Sequence, residues 1–303
     1  MGAPAYRTVL IGAGNVATRL GQALADAGHQ VTSVGGRTRI QPVPRDADVY
    51  IIAVSDRSIA SVARELTGVS GLVVHTAGSV PMDILPQRRR GVLYPLQTLS
   101  KGREMDFSRV PLFVESDSDL PLLTSLASSI SQSVHVLDSH SRRSIHLAAV
   151  FCCNFTNALY SMAHRLLQSE GVPFEVLLPL IDETAAKVHQ LKPREAQTGP
   201  AVRWDTEVMQ MQQARLPDEE MKQIYSLLSK YIHDDQLRFK EDQGSSLLCG
   251  RSPECGDYHH GCSGNSLAYG EYQGRICLAV GCEVRFARGN HYGSQCAGHQ
   301  GSL

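Results

Sequence analysis

Apolar and β-branched residues crowd the run YRTVLIG at residues 6–12, which predicts a strand ending in glycine. The next segment, NVATRLGQALADAG, places Val16, Leu20, Ala23, Leu24 and Ala27 at helical spacing and closes on Gly28. HQVTSVGG, DADVYIIAVSD, GLVVHTAGS, GVLYPLQT, VPLFVES and SVHVLD continue as strands, with helices predicted at RSIASVAREL and SDLPLLTSLASSI. The third strand is apolar almost throughout, as when both sheet faces are covered. Alternation of strand and helix over residues 6–137 predicts an α/β fold built on a doubly wound, mostly parallel Rossmann-like sheet.

The periodicity changes after Asp138. Long helical patterns follow at residues 139–171, 173–192, 199–216 and 217–235, so the second half reads as all-helical. Pro173 suits a first helical turn, and Pro179 is expected to kink its helix. From Gly244 the composition shifts again, to twelve glycines, six cysteines and no lysine, without sustained periodicity. The domain reading is therefore 1–137 for a dinucleotide-binding domain, 138–243 for a helical substrate and dimerisation domain, and 244–303 for a weakly structured tail. The tail cysteines lack C-x-x-C spacing, and no metal site is assigned. Cys152 and Cys153, in an apolar helical context, read as small core residues.

The 29 basic and 30 acidic residues nearly cancel and form no long block, which gives no nucleic-acid or anionic-membrane footprint. No apolar run reaches bilayer length and no signal peptide is read, so a cytoplasmic location is expected.

Chemistry enters through Gly12-x-Gly14-x-x-Ala17, which joins strand to helix to strand. Gly12 permits the tight turn, Gly14 lets backbone approach a pyrophosphate, and Ala17 keeps helix and strand close. Asn15 and Val16 open the helix whose amides would face phosphate. The second strand ends without the acid that holds a ribose 2′-hydroxyl in NAD sites. It is followed by Arg37 and Thr38, a guanidinium and a hydroxyl suited to a 2′-phosphate, so NADP is the expected cofactor. Val54 and Ser55 after the third strand, and Ala77 and Gly78 after the fourth, are expected beside the cofactor at the strands' carboxyl ends. His75 reads as a packed strand-end residue, and Tyr94 and Gln97 fall near the opening. Gln97 reads equally as a substrate contact and as a loop-stabilising amide.

VLIGAGNVATRL, GGRT, HTAGS, YPLQTLSK, HLAAVFCCNFTNAL and TGPAVRWD together resemble a family of Rossmann-like NADP-binding oxidoreductases. Its helical C-terminal domain is of unknown function. The resemblance covers about residues 6–240. In layout these proteins are similar to pyrroline-5-carboxylate reductase, ketopantoate reductase and the 3-hydroxyacid dehydrogenases. That implies an NADP domain, a helical half forming a homodimer, and a small-molecule substrate bound between them. Two of those relatives carry a proton-donating Lys four residues before an Asn. Here the pair reads Val150 and Asn154, so that Lys is missing. His146, Asn154 and Asn157 offer polar groups on the same long helix, with steps of four placing His146, Val150 and Asn154 on one face. His146 or Lys187 is the candidate acid, Asn154 the orienting group, and Arg203 the anchor for a substrate carboxylate. The expected activity is hydride transfer to or from a small carbonyl or imine that carries a carboxylate. The alternative is an NADP-binding sensor or scaffold without turnover.

Overall fold

A computed structural model describes residues 4–35, 42–249, 267–272 and 275–280, with side chains described through residue 239. By contacts the chain divides into two compact units, Met1–Gly171 and Val172–Leu303.

The first unit is a seven-stranded sheet in the order β2-β1-β3-β4-β5-β6-β7. The strands are β1 (Arg7–Ile11), β2 (Gln30–Val34), β3 (Val49–Ile52), β4 (Leu72–His75), β5 (Arg90–Pro95), β6 (Leu112–Ser116) and β7 (Val134–Val136). Every neighbouring pair is parallel except β5–β6. The chain leaves β1 toward β2 on one side and then returns to place β3 on the other, a topological switch between β1 and β3. Register aligns the carboxyl ends. Ile11 pairs with both Val34 and Ile52, and Ile52 pairs with His75.

Both faces of the sheet are covered. Helices α1 (Asn15–Asp26) and α3 (Leu120–Ser128) pack Leu20, Leu24, Leu123 and Leu126 against Leu10, Ile51, Val74 and Leu93. On the other face α2 (Ile59–Glu65) sets Ile59 and Ala63 against Tyr50, Ile52 and Val73. This two-sided burial explains why β3 and β4 read as continuous apolar runs.

The break falls one long helical segment later than the change in periodicity at residue 138. This segment consists of α4 (Ser139–Ala149), a π-helical turn at Val150–Phe155, and α5 (Thr156–Ser169). It belongs to the sheet unit because its start is clamped there. Asp138 caps α4, accepting from the Ser141 amide at 2.8 Å. Arg142, 1% exposed, pairs with Glu115 of β6 at 2.5 Å. It also donates to the Val80 carbonyl. Glu115 further accepts from the Ser139 amide and hydroxyl, and Ser139 Oγ accepts from the Met82 amide. Ile145 completes the contact by packing over Val92, Tyr94 and Phe113.

The second unit contains α6 (Leu178–Lys187), α7 (Pro193–Ala196), α8 (Pro200–Arg203), α9 (Thr206–Ala214) and α10 (Glu219–Cys249). Pro179 lies in the first turn of α6, so it starts that helix and does not kink it. The run expected as one helix over 199–216 breaks at Trp204, whose φ of 54° is left-handed, and Asp205 then caps α9. In the tail, β8 (Leu267–Tyr272) and β9 (Arg275–Val280) form an antiparallel pair that the sequence reading did not anticipate. Its source is the apolar stretch ICLAV at residues 276–280.

Arg142 is almost fully buried and Glu115 largely so, and removing the arginine leaves the carboxylate without its partner cation. Arg142→Ala should lower the unfolding free energy by about 3–5 kcal/mol. Arg7→Ala, which breaks the exposed Arg7–Asp46 pair, should cost less than about 1 kcal/mol. Urea titrations of the two variants check the contrast.

Candidate functional site

The aligned strand ends form one side of a cleft of about 890 Å³. Gly12 follows β1, Gly35 follows β2, Ala53 and Val54 follow β3, and Thr76 follows β4. All of them line it. Gly12 has a φ of +145°, and a Cβ there would lie 2.1 Å from the Ala53 carbonyl oxygen. Its amide donates to the Val34 carbonyl at 2.9 Å, which fastens the turn between β1 and α1 to β2. Only glycine meets both demands.

Gly14 is the N-cap of α1, in extended conformation, and provides no side-chain cap. A Cβ built on it meets nothing within 4 Å. The first amides of α1 therefore face the cleft without a cap, an arrangement suited to an anion brought close to backbone. Ala17 is buried under the helix, while Asn15 is exposed and Val16 half-buried at the rim. Arg19 donates to the carbonyls of Ser100 and Lys101 at 2.8 and 2.6 Å. This ties the segment after β5, with cleft-lining Leu99, to α1. Arg37 and Thr38 lie outside the described residues.

On the β3 side Ser55 shares a 2.9 Å hydrogen bond with Ser58. Asp56 accepts from the Ser79 hydroxyl, which links the segments after β3 and β4. Within the latter, His75 is fully buried. Its Nδ1 accepts from the Ala77 amide at 3.2 Å, which leaves Nε2–H to face the Pro81 carbonyl at 3.4 Å. Burial first, and the Arg142 charge second, lower its pKa to about 4, so it is a neutral staple of the HTAGS turn. Ala77 packs beneath this turn against the sheet core, while Thr76 lines the cleft.

Gly78 leads to the other polar cluster. A Cβ on it would meet His146 Nδ1 at 2.6 Å and Tyr94 Cζ at 2.7 Å. The Tyr94 hydroxyl and His146 Nδ1 are 2.9 Å apart, their rings edge to face. Tyr94 is buried and stacked on Phe113, its cross-strand partner. Burial pushes its phenol above the ordinary pKa, with Arg142 pulling the other way. The structure thus brings Gly78 and His146 together through Tyr94, which sequence reasoning placed only near the opening. Its position at the carboxyl end of β5 was the available signal.

The π turn changes the relation among the helical candidates. It interrupts the α-helix at Val150–Phe155, so that Asn154 lies within the π turn and Asn157 beyond it. Thr156 Oγ1 bonds the Phe151 carbonyl five residues back. Asn154 and Asn157 are exposed. Cys152 is exposed and Cys153 half-buried, which corrects their reading as core residues. Gln97 is exposed, and its Oε1 accepts from the Thr98 amide at 2.9 Å. In the second unit Lys187 ends α6 half-buried, and Arg203 ends α8 exposed. Among the described residues no three metal-ligating side chains converge, and no helix is long and apolar enough to cross a membrane.

The glycine turn at the switch point of a doubly wound sheet defines a Rossmann-like α/β protein. A family profile described as a domain of unknown function (DUF2520) matches residues 110–232. A solved structure from Bacteroides fragilis, named as a candidate NADP oxidoreductase, is 41% identical. The match covers 76% of this chain and 98% of that one, with a TM-score of 0.71. The chain belongs to the Rossmann-like oxidoreductase family whose helical half carries that domain. A Thermotoga maritima protein shares the fold at 20% identity and a TM-score of 0.60, covering 77% of this chain and 99% of its own. Pyrroline-5-carboxylate reductase from Streptococcus pyogenes does so at 13% and 0.52, with coverage of 77% and 98%. No curated protein matches.

His75 supplies a pH test. Its folded pKa of about 4 lies below the ordinary 6.5, so the unfolded chain binds the extra proton in that window. The stabilisation from keeping it neutral is complete above pH 6.5. It falls as pH drops toward 4, by on the order of 3 kcal/mol. His75→Gln should flatten that slope in urea titrations run across the range.

Proposed function

We propose that the protein is an NADP-dependent oxidoreductase that moves hydride between the nicotinamide and a small, carboxylate-bearing carbonyl or imine. The observation that carries this reading is the cradle at Gly12 and Gly14, one glycine forced by the Ala53 carbonyl and the other open to the cleft. The residues present fit a dinucleotide. Gly12, Gly14, Asn15, Val16 and Ala17 would hold the pyrophosphate, and Val54, Ser55, Ala77 and Gly78 would border the nicotinamide end. Arg37 and Thr38 would grip the 2′-phosphate. The name given to the 41% identical Bacteroides fragilis protein supports the same assignment.

When bound, the cofactor supplies the hydride. The chain's own residues must then bind and orient substrate and manage the proton. His146 is assigned the proton, with Lys187 as the second candidate, Asn154 orients, and Gln97, Asn157 and Arg203 contact substrate. Val150, where two related enzyme groups place a catalytic Lys, favours the second reading, an NADP-binding protein without turnover. An absorbance screen for NADPH oxidation against 2-oxo acids and cyclic imines separates the two.

We also propose a homodimer in a cytoplasmic setting. Leu147 and Phe151 are 60% exposed and Phe155 50%, all on the α4–α5 segment. Burying such a side chain stabilises an interface by roughly 1.5–3 kcal/mol. Leu159, and in the second unit Leu177, Leu178 and Ile181, are assigned to burial in the dimer as well. Light scattering should give twice the chain mass at micromolar concentration, and Phe151→Asp should shift it toward monomer.

Gly14 gives the cofactor test. Its backbone at φ −80° and ψ −175° accepts any residue, and serine is a favoured N-cap. Gly14→Ser should therefore keep or slightly raise the melting temperature while weakening NADPH binding at least about tenfold, by projecting into the cradle. Arg37→Ala should narrow the preference for NADPH over NADH. Calorimetry reads both.

A further inference from the structure

The Tyr94–His146 contact has a direction that the ring positions alone leave open. Either the phenol donates to Nδ1, or Nδ1–H donates to the phenol oxygen. Among the described residues the Tyr94 hydroxyl has no hydrogen-bond partner except His146 Nδ1. If Nδ1 carried the hydrogen, the phenol proton would be buried without an acceptor, at a cost of about 1–3 kcal/mol. The charge of Arg142 also acts on the phenol and favours its ionised form. The geometry is held from several directions. Phe113 stacks on Tyr94, the Gly78 backbone presses on both rings, and Arg142 fixes α4 one turn before His146.

We propose that Tyr94 is the positioning residue that holds His146 as its Nε2–H tautomer, so that His146 presents an N–H, and not a lone pair, to the substrate oxygen that takes up the proton. The proposal rests on the hydride-transfer reading for its use, though not for its geometry. A neutral imidazole cannot lose a proton outright, and the pair removes that difficulty. As hydride reaches a substrate carbonyl, the developing alkoxide takes the proton from Nε2. Nδ1 takes the phenol proton at the same time. The products are the alcohol, a neutral imidazole of the opposite tautomer, and a phenolate favoured by the charge of the buried Arg142 guanidinium. Solvent then returns one proton to the pair. Nothing is oxidised or reduced beyond the substrate and the nicotinamide. The Glu115 carboxylate keeps Arg142 in place, and His75, neutral, adds no competing charge.

Nitrogen-15 NMR of the full chain, at a pH well above the imidazole range, tests the tautomer without cofactor or substrate. His146→Gln identifies the resonances. The wild-type protein should show a protonated Nε2 and an unprotonated Nδ1, and Tyr94→Phe should remove that preference. A wild-type Nδ1–H tautomer, or an unchanged tautomer in Tyr94→Phe, would overturn the proposal. In turnover, Tyr94→Phe should lower kcat about 100-fold or more while leaving NADPH affinity unchanged. An unchanged kcat would refute the relay. If no substrate is turned over, the hydride-transfer reading fails, and the NMR result still decides the pairing.

Discussion

The position of the first long helix depends on one buried ion pair. Arg142 reaches from α4 into the sheet unit and meets Glu115 of β6, while its other nitrogen holds the Val80 carbonyl beyond β4. Burial pulls the guanidinium below its ordinary pKa, and the Glu115 charge opposes that. Such a pair adds little net stability compared with a packed apolar contact, because both charges lose water. Its value here is geometric. It fixes a helix, a strand and a turn to a common point, and the His146 and Tyr94 side chains inherit their places from it.

The cleft is organised differently, almost entirely from backbone. Parallel register brings Ile11, Val34, Ile52 and His75 to one level, so the chain leaves four strands along a single edge. Contact between the Gly12 turn and Ala53 is too close for any side chain, and Gly14, without one, leaves the α1 amides uncapped. Side chains act mainly as ties between segments. Arg19 fastens the segment after β5 to α1, and Asp56 and Ser79 join the turns after β3 and β4. A site of this kind depends on strand register more than on individual polar residues, which suits recognition of a phosphate-bearing ligand by amides.

This division also decided what could be read from sequence. The strand–helix–strand rhythm, the two-sided burial of β3 and the special place of Gly12 were legible, because each is a local consequence of residue type. The reversal at β5–β6 was not, since a long connection can join strands of either sense and Leu93 and Val114 look alike in both. Nothing in the sequence singled out Arg142, because the acid it meets lies 27 residues away. The meeting of Tyr94 with His146 spans 52 residues and depends on that anchor. Cys152 and Cys153 were misread for a related reason: an apolar neighbourhood in sequence does not reveal which side of a helix the fold covers. Pro179 and Trp204 show the limit within helices, where a single residue decides whether a periodic stretch is one element or two.

The π turn at Val150–Phe155 has a consequence for how this segment tolerates change. It acts as a phase slip between two stretches of helix. Before it, residue identity is set by docking on the sheet, through Arg142 and Ile145. After it, the angular position of every side chain is offset, so α5 presents a different stripe from the one that a straight continuation of α4 would present. Substitutions within either stretch leave the phase intact. A one-residue deletion inside the slip would restore regular winding and leave α5 close to its present angular position, because a π turn holds about one residue more than an α turn over the same rotation.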